Sequence, residues 1–483
     1  MRPTLQMLTP EAVERVIEEA LVTLQRVGVL VEHEAARTLL QDAGAQPDSA
    51  AGSPPRLLLD EPLVRQALQT VPHVITLYDR QGERPLSLGG DSVCFDPGSA
   101  ALHVLDPLTR RRRQVRVQDC VNLAWVTEAC GNIGAQSTGL VPSDVPHHLA
   151  DRYRLYLALQ NSRKPVVTGT FVKEAFSEMR DMLVAVRGTE QALRDRPLAI
   201  FDCCPTPPLK WSDLTCQALM DSARAGIPAQ LVSMPMAGAT SPVTLREVVV
   251  QHTAENLCGV VIHQLTAAGA PIIHGGSPSA LDMRHGTTPM GAIETQMVEV
   301  ACAQVGKRLG LPTHAYMALS DAKGVDWQAG LESGVGAVLA ALGGINMVSG
   351  PGMLDFEICQ SLEKLVLDNE ACGMALRLVR GIDDAPGDQT APELIRQVVQ
   401  SGHFLAHPHT RAHFRQELYL PSVVIDRQSY GDWEQRGAPS AWDAAADQVT
   451  KILGRGNPCP VEASVKHELD AVVSRHPELP LTP

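Results

Sequence analysis

The stretch RAGIPAQLVSM, residues 224–234, joins the end of a helix to the start of an apolar strand. Gly226 suits the left-handed position that follows a helix, and Pro228 cannot continue the helix. The same arrangement recurs in AAGAP at residues 267–271 and in RLGLP at residues 308–312. Helices that repeatedly stop just before an apolar strand indicate a βα repeat.

Seven apolar strands are predicted around these signals, with long helical segments between most of them. No predicted strand leads into a G-x-G-x-x-G turn, which disfavours a doubly wound dinucleotide-binding sheet. The pattern favours a (β/α)8 barrel of the TIM type but leaves its eighth strand unassigned. The predicted strands cover residues 133–139, 165–171, 198–204, 229–234, 271–276, 313–319 and 345–350.

Both ends of the chain differ from this repeat. Thr9, Pro10 and Gly28 mark the cap, the first turn and the end of an N-terminal helix, and short apolar stretches alternate with turns further on. The predicted fold is therefore α/β in three segments. These are an N-terminal extension of helices and β-hairpins (1–117), a βα-repeat barrel core (118–380), and a C-terminal helical extension that completes and caps the barrel (381–483).

Charge and composition exclude several classes of protein. A formal net charge of −13 disfavours nucleic acid as a partner, because duplex binding depends on neutralising phosphates. The run Arg110–Arg113 fits a solvated edge or a protein contact better. No apolar run reaches the roughly 20 residues that a membrane span needs. The N-terminus has no signal-peptide pattern, and 11 cysteines without a C-x-x-C pair indicate reduced thiols and a cytoplasmic location.

In a TIM-type barrel the chemistry gathers at the C-terminal ends of the strands. This rule directs attention to the last residues of the predicted strands and to the loops that follow them. The strand ends selected in this way are Thr170, Cys203, Cys204, Ser233, His274, Leu319 and Ser349.

Several segments at these strand ends resemble the trimethylamine methyltransferase family, and they occur in the order that the family has. The likeness extends from the N-terminal helix to about residue 455 and implies a barrel enzyme that moves a methyl group from an amine to the cobalt of a separate corrinoid protein. The segments are CCPTPPL (203–209), LVSMPMAGATSPV (231–243), HGGSPSALDMRHGTTPMGAIE (274–294), SDAKGVDWQAG (320–330), GPGMLDFEICQSLEKLVLDNE (350–370), GHFLAHPHTR (402–411) and DRQSYGDW (426–433).

The residue before the SDAK turn separates this chain from part of the family. Members that use trimethylamine carry pyrrolysine there, whereas this chain has Leu319. Trimethylamine needs an electrophile to make its nitrogen quaternary, but a betaine is already quaternary and releases a neutral tertiary amine when it loses a methyl group. The resemblance therefore implies a quaternary amine substrate, such as glycine betaine, carnitine or proline betaine.

The candidate catalytic residues are Leu319, at the pyrrolysine-equivalent position, and two charged residues of the following turn. Asp321 could face the substrate cation or could cap the next helix together with Asp326. Lys323 could reach a betaine carboxylate or the polar edge of the corrinoid, or could form a surface salt bridge.

The candidate substrate-binding residues are those whose chemistry suits a trimethylammonium group, which favours aromatic faces and carboxylates. Each also has an ordinary structural alternative, such as core packing for the aromatic residues or helix capping for the acids. Trp211 is predicted to be part of a lid, and His274 could bind a carboxylate. The set is His274, Tyr316, Trp327, Trp211, Ser349, Asp355 and Glu357.

The cofactor is expected to arrive on a partner, because the chain lacks the D-x-H-x-x-G motif of corrinoid-binding domains. A corrinoid protein is predicted to dock at the C-terminal face of the barrel, and the chain is expected to form a homo-oligomer. Four histidines have a spacing that could hold zinc, but a quaternary amine offers no group for zinc to activate, so no metal is predicted. These histidines are His403, His407, His409 and His413.

Two other functions remain open at this point. One is a non-catalytic barrel that binds a betaine, and the other is a Schiff-base lyase that uses Lys323. The lyase is disfavoured because its lysine normally lies on a strand, whereas Lys323 comes four residues after the predicted strand end.

Overall fold

The computed structural model describes residues 2–48, 52, 54–383 and 389–481. The N-terminal helix begins as the sequence predicts, with the Thr9 side chain accepting a hydrogen bond from the Ala12 N–H and Pro10 in the first turn. The elements of this first segment are α1 Pro10–Arg26, β1 Leu30–Val31, α2 Glu34–Asp42, β2 Gln46–Asp48, β3 Arg56–Leu58, α3 Glu61–Leu68, β4 Ile75–Tyr78 and β5 Pro85–Leu88.

The middle of the chain alternates short strands with longer helices. Its elements are β6 Cys94–Asp96, β7 His103–Leu105, β8 Arg112–Gln114, α4 Val117–Ala129, β9 Gln136–Ser137, α5 Ala150–Asn161, β10 Val166–Thr168, α6 Ala175–Arg187, α7 Glu190–Asp195, β11 Ala199–Cys203, β12 Lys210–Trp211, α8 Asp213–Ala225, β13 Ala229–Leu231, β14 Met236–Ala237, α9 Leu245–Thr266, β15 Ile272–Gly276, β16 Ser279–Ala280, α10 Ile293–Arg308, β17 Thr313–Tyr316, α11 Trp327–Gly343, β18 Met347–Ser349, β19 Met353–Leu354, β20 Cys359–Gln360 and α12 Leu362–Val379.

The helix endings that predicted the βα repeat have the expected backbone. Gly226, Gly269 and Gly310 have φ angles of 67°, 81° and 76°, in the left-handed region that a side chain disfavours. Each of these glycines is followed by a proline and then by a strand of the central sheet. The βα repeat is therefore confirmed.

Within the described residues, one sheet contains 8 parallel strands in the order β6-β18-β17-β15-β13-β11-β10-β9. The first and last strands of this order also meet, because the Gly134 and Ala135 N–H groups donate to the Phe95 oxygen at 2.9 and 3.3 Å. Helices flank the sheet between successive strands. The (β/α)8 barrel predicted from the sequence is confirmed.

The eighth barrel strand comes from the N-terminal side of the chain. β6 pairs with β18, with Ser349 opposite Asp96, although residues 94–96 precede the predicted start of the barrel at 118. This strand is short and is flanked by hairpin-like sequence, so its local pattern does not distinguish it from the extension. The barrel thus begins earlier than predicted, with the first strand that the chain contributes to it.

The lower end of the barrel is closed by the β4–β5 hairpin. Ile75, Leu77 and Leu88 of the hairpin belong to the same buried cluster as residues from the barrel strands. An apolar plug at the N-terminal ends of the strands leaves the opposite end as the accessible one, where TIM-type barrels carry their sites.

The C-terminal segment consists of helices in its described part: α13 Ala391–Val398, α14 Pro408–Glu417, α15 Tyr430–Gln435, α16 Ala441–Leu453 and α17 Ala463–Val473. α16 packs on α4 and α12, and α17 packs on α5 and α6. The segment covers the outside of the barrel, but no described strand of it joins the barrel sheet, so the expectation that it completes the barrel is wrong. Among the described helices, none is long and apolar enough to cross a membrane.

Candidate functional site

The barrel interior has an apolar floor and a polar layer above it. The floor contains one residue from each of several strands, in a single buried cluster with the hairpin. Residues two positions further along a strand face the same side and lie closer to the C-terminal mouth. By this rule the polar layer receives Asp96, Gly169, Asp202, Gly275 and Ser349.

A hydrogen-bonded chain crosses three neighbouring strands in this layer. Ser349 Oγ donates to Asp96 Oδ2 at 2.6 Å, and His314 Nε2 lies 3.1 Å from the same Oγ and donates to it. Gly275 makes room for the histidine, since a Cβ at this position would lie 2.6 Å from the Cβ of His314. Burial lowers the pKa of His314 to about 3, so the ring is neutral. Of the predicted site residues, Ser349 is thus inside the barrel.

Asp202 and Tyr316 belong to the same layer. Gln230 Nε2 donates to Asp202 Oδ1 at 2.7 Å, while no described residue hydrogen-bonds to Oδ2. The Tyr316 ring lies edge-on to His314, with 5.0 Å between their centroids. Tyr316, predicted as a substrate-binding residue, therefore faces the barrel axis.

Glu357 lies in the loop after β18, close enough to Asp96 and Asp202 for their charges to affect it, and the space between these three acids is the cavity of the barrel. Glu357 is the third of three consecutive residues with left-handed backbone, Asp355, Phe356 and Glu357, whose φ angles are 52°, 57° and 67°. Such a conformation costs a non-glycine residue on the order of 1 kcal/mol, and strained segments of this kind concentrate at functional sites. Glu357 Oε1 is shielded from solvent and has no hydrogen-bond partner among the described residues.

The carboxyl groups of the cavity perturb one another. Burial, followed by the nearby charges of Asp321, Asp202 and Asp96, raises the pKa of Glu357 to about 8. Burial and Asp96 raise the pKa of Asp202 to about 8, against the opposing effect of Gln230. Burial raises the pKa of Asp96 to about 7 despite its bonds from Ser349 and Gly98. A cation bound between these acids would lower their pKa values and so favour their ionised forms.

The loop that carries Glu357 is held by two cations. Asp355 pairs with Arg112 at 2.5 Å and with Lys323 at 3.3 Å, and Lys323 Nζ also lies 3.7 Å from the centroid of the Phe356 ring. Lys323 Nζ further donates to the Asp321 backbone oxygen at 2.6 Å. Asp355 and Lys323 therefore position the Glu357 loop, and neither is directed at the centre of the cavity by its contacts.

Asp321 has a third role that the sequence does not suggest. Its carboxylate accepts hydrogen bonds from the Met290 and Gly291 N–H groups at 2.8 and 2.9 Å, so it fixes the loop of the neighbouring strand. The cap of α11 is Asp326, which accepts from the Ala329 N–H at 3.1 Å. Burial raises the pKa of Asp321 to about 6.

Leu319 lies past the strand end, because β17 stops at Tyr316 and Ala318 turns the chain with a φ of 61°. Its side chain is 1% exposed and packs against Gly350, where an added Cβ would lie 3.0 Å from the Leu319 Cβ. The Gly350 N–H donates to the Asp96 oxygen at 3.1 Å. Leu319 thus lies beside the backbone that carries one of the cavity acids.

Two predicted residues lie away from the cavity. The His274 ring is buried against α10, where a Cβ on Gly306 would lie 2.7 Å from its Cδ2, and it contacts His252 edge-on. Trp211 is fully buried in the outer layer, and its Nε1 donates to the Glu255 oxygen at 3.2 Å. Trp211 is paired through β12 with the N-terminal strand β1, a long-range contact that fixes it as a core residue rather than a lid.

Replacing Trp211 with alanine is expected to lower the free energy of unfolding by about 3 to 5 kcal/mol, because a fully buried indole leaves a large cavity. Its ring fills the space over Gly259, where an added Cβ would lie 2.6 Å from the indole. Urea denaturation measures the loss. Ligand affinity of the folded variant should stay within about twofold of the wild type, since a larger loss would return Trp211 to the site.

The mouth of the barrel is surrounded by exposed apolar side chains. Trp327 begins α11 and is 79% exposed, and Met283, in the loop between β16 and α10, is 73% exposed. Ile358 follows Glu357, and Leu108 lies in the β7–β8 turn, whose sheet includes β20. Trp327 is therefore a residue of the rim and does not pack between helix and sheet.

Sequence reasoning missed three of the central residues: Asp96, Asp202 and His314. Asp202 precedes the two cysteines that were selected as the end of their strand, yet alternation from Ile200 places it towards the axis. His314 would follow by the same count from Tyr316. Asp96 had no such signal, since its strand was not recognised.

No group of three or more potential metal ligands occurs among the described residues. His407 Nε2 is 3.0 Å from Gln397 Oε1, and the rings of His409 and His413 are in contact at a tilt, with 4.4 Å between centroids. His409 and His413 lie on α14 and His407 is its N-cap, far along the chain from the strand ends that form the cavity.

Comparison with known proteins assigns the chain to a family. The family model described as trimethylamine methyltransferase (MTTB) matches residues 1–479. The trimethylamine methyltransferase MttB of Desulfitobacterium hafniense (strain DSM 10664 / DCB-2) is 30% identical over 453 residues, which cover 94% of this chain and 90% of the relative. The glycine betaine methyltransferase of Desulfitobacterium hafniense (strain Y51) is 29% identical over 477 residues, which cover 98% and 97%.

A solved structure supports the fold alone. The crystal structure of the hydroxylamine MtmB complex matches with a TM-score of 0.50 and 10% identity, covering 93% of this chain and 89% of the other. The architecture, the motifs at the strand ends and the match over nearly the whole sequence agree, and the chain belongs to the trimethylamine methyltransferase family.

Proposed function

We propose that this protein transfers a methyl group from a quaternary amine to the cobalt of a corrinoid carried by a separate protein. The observation that carries the proposal is the set of acids around the barrel axis, in which Glu357 has an unpartnered oxygen. A permanent cation that cannot donate a hydrogen bond suits such a set, because charge and desolvation rather than directed bonds would hold it.

Each element of the cavity has a part in this reaction. When bound, the reduced corrinoid supplies the nucleophile that accepts the methyl group. The acids hold the cationic nitrogen, and the apolar floor excludes water from the lower side of the cavity. Positioning of the methyl carbon is then the main contribution of the protein.

Leu319 supports a quaternary rather than a tertiary amine. An aliphatic side chain provides no electrophile at the position where the resemblance implies pyrrolysine, so the substrate must bring its own positive charge. One relative is named a glycine betaine methyltransferase and another a trimethylamine methyltransferase, so both substrate classes occur among similar chains.

The exposed apolar rim supports a docking surface for the corrinoid protein. Trp327, at the start of α11, and Met283, in the loop between β16 and α10, both follow barrel strands, at the end through which the cofactor would have to enter. Large exposed apolar side chains that cluster around a cavity mouth are typical of interaction sites. A homo-oligomeric state and a cytoplasmic location stay predictions.

The proposal is tested by mixing the protein with chemically reduced cobalamin and offering glycine betaine, carnitine, proline betaine, γ-butyrobetaine, choline and trimethylamine separately. We expect the visible spectrum of methylated cobalamin and the matching demethylated amine, detected by proton NMR, with one quaternary amine. If calorimetry detects binding of a betaine but no demethylated amine forms, even with the corrinoid protein present, the chain is a binding protein and the proposal is wrong.

The affinity for a quaternary amine is expected to rise about tenfold between pH 6 and pH 9. The ligand has no proton to lose, so only the protein changes charge. Asp96, with a pKa of about 7, and Asp202 and Glu357, with pKa values of about 8, are mostly neutral at pH 6 and ionise across this interval. Calorimetric titrations at four pH values would measure the rise, and a flat profile would contradict the role of the acids.

The same shifts predict the opposite trend in the stability of the ligand-free protein. A carboxyl whose folded-state pKa is raised above its unfolded value stabilises the fold fully below the unfolded pKa. That contribution is lost as the pH rises through the folded pKa. The ligand-free protein should therefore lose stability up to about pH 8, where a saturating quaternary amine should restore part of it.

A further inference from the structure

Arg154 is a buried cation at the edge of the cavity that the proposed reaction does not use. It belongs to the first turns of α5 and is 3% exposed. Its guanidinium carbon lies 4.4 Å from the centroid of the Phe171 ring, and His147 stacks on the same ring at 5.7 Å. The ring and the helix therefore hold the guanidinium plane in a fixed orientation.

Most of the hydrogen-bonding capacity of this side chain is unused. Within the described part of the chain, the guanidinium forms one hydrogen bond, from Nη1 to the Thr138 oxygen at 2.7 Å. Nε is shielded from solvent and has no partner. A planar guanidinium has five N–H donors, and those that remain free match the two oxygens of a carboxylate.

Arg154 lies about two strands away from the cavity acid Asp202. Thr138 follows β9 and Phe171 follows β10, whereas Asp202 lies on β11, the next strand of the barrel. Adjacent strands are about 4.8 Å apart, so the backbones of Thr138, to which the guanidinium is bonded, and of Asp202 are separated by on the order of 10 Å. That separation allows a small zwitterion to lie between an acid and an arginine.

The charge of Arg154 is maintained despite its burial. Desolvation lowers the pKa of Arg154 to about 10, and the charges of Asp151, Cys120, Asp202 and Tyr316 act in the opposite direction. The group is therefore a cation at neutral pH, close enough to Asp202 for the two charges to interact.

Other cations near the mouth are already engaged. Lys323 and Arg112 both pair with Asp355, and Arg152 pairs with Glu178 at 2.9 Å. Lys323, which we considered for a substrate carboxylate, also donates to the Asp321 backbone. Arg154 has neither a carboxylate within salt-bridge distance nor a partner for Nε among the described residues.

We propose that Arg154 binds the carboxylate of a zwitterionic quaternary amine, while the acids of the barrel hold its cationic end. The substrate would then be a betaine rather than a quaternary alcohol or a simple tetraalkylammonium. This inference rests on the proposed function, since it names the substrate class of the same cavity. Arg154 contributes affinity and selectivity through its fork of N–H groups, without taking part in the methyl transfer.

The test is calorimetric binding of glycine betaine, carnitine and proline betaine against choline, which carries the same trimethylammonium group without a carboxylate. We expect the wild type to bind one of these betaines at least tenfold more tightly than choline. Arg154→Met should lower the affinity for that betaine at least tenfold and change the affinity for choline by less than twofold. Arg163→Met, just past the end of α5 and paired with Glu128, is the matched control and should keep both affinities.

If Arg154 has only a structural role, Arg154→Met should lower the affinity for the betaine and for choline equally, and that result would overturn the inference. If thermal unfolding shows that Arg154→Met does not fold, Arg154→Lys takes its place. This variant should lower the affinity for the betaine at least threefold and leave the affinity for choline unchanged, because a point charge cannot form the paired hydrogen bonds. An equal loss of affinity for both ligands would again overturn the inference.

Methyl transfer and ligand binding measured on the wild type also distinguish a failure of this inference from a failure of the proposed function. Methyl transfer from choline in preference to every betaine would overturn the role of Arg154 and leave the proposed reaction in place. Selective betaine binding through Arg154 without any demethylated product, with the corrinoid protein present, would support the inference and contradict the reaction.

Discussion

Glu357→Gln is expected to weaken binding of a quaternary amine at least tenfold, with little change in the stability of the protein. The substitution keeps the shape of the side chain but removes the charge that the cation needs at close range. Glu357 Oε1 has no hydrogen-bond partner among the described residues, so little internal bonding is lost. A tenfold change corresponds to about 1.4 kcal/mol, within the range of a desolvated charge contact.

The matched control is Glu363→Gln. Glu363 is buried, and its carboxylate accepts from Ser361 Oγ at 2.9 Å, at the start of α12. We expect this variant to bind the ligand as the wild type does. The titrations are run at pH 9, where Glu357 is ionised in the wild type. Wild-type affinity in Glu357→Gln would mean that the cation is held elsewhere.

Leu319→Lys is expected to reduce methyl transfer at least a hundredfold. Leu319 lies against Gly350, whose N–H group bonds to the backbone of Asp96. An ammonium introduced there would either remain buried without a partner or reach the cavity acids and compete with the substrate for them. The first outcome destabilises the folded protein, and the second fills the cation site.

Leu319→Met is the control for packing at this position, since a volume-conserving change usually costs less than about 1.5 kcal/mol. It should retain methyl transfer within about threefold. Thermal unfolding of both variants distinguishes loss of the fold from loss of the site. A folded Leu319→Lys protein with the wild-type rate would show that Leu319 does not border the cavity.

The fold could largely be predicted from local signals. Gly226 and Pro228 end a helix for reasons that act within a few residues, and the same signals at the other helix ends define the repeat. The strand of Asp96 could not be found in this way, because it has three residues and depends on pairing with β18, more than 250 residues further along the chain.

The site was only partly predictable for a related reason. Ser349 was selected from its place at a strand end and Glu357 from the loop after one, whereas Tyr316 was selected for its aromatic ring and not for its place on the strand. Asp202 could have been found by counting alternation from Ile200. This count places Asp202, and not Cys203 or Cys204, towards the barrel axis. The burial of Trp211 could not be predicted, because it depends on the pairing of β12 with β1 in the N-terminal segment.

The conformation of the Glu357 loop also could not be predicted from the sequence. Three successive left-handed residues without glycine have no local preference for that backbone. They are held by the ion pairs of Asp355 with Arg112 and Lys323, which join three separate parts of the chain. Tertiary contacts therefore decide where this acid lies.

The most direct measurement of the central claim is the ratio of initial methyl-transfer rates to reduced cobalamin from the best betaine and from trimethylamine, both at pH 9 and at saturating concentration. We expect the betaine to react at least a hundredfold faster, because it carries the permanent charge that the acids of the cavity hold and needs no electrophile at Leu319. Equal rates, or faster transfer from trimethylamine, would contradict the assignment of a quaternary amine as the methyl donor.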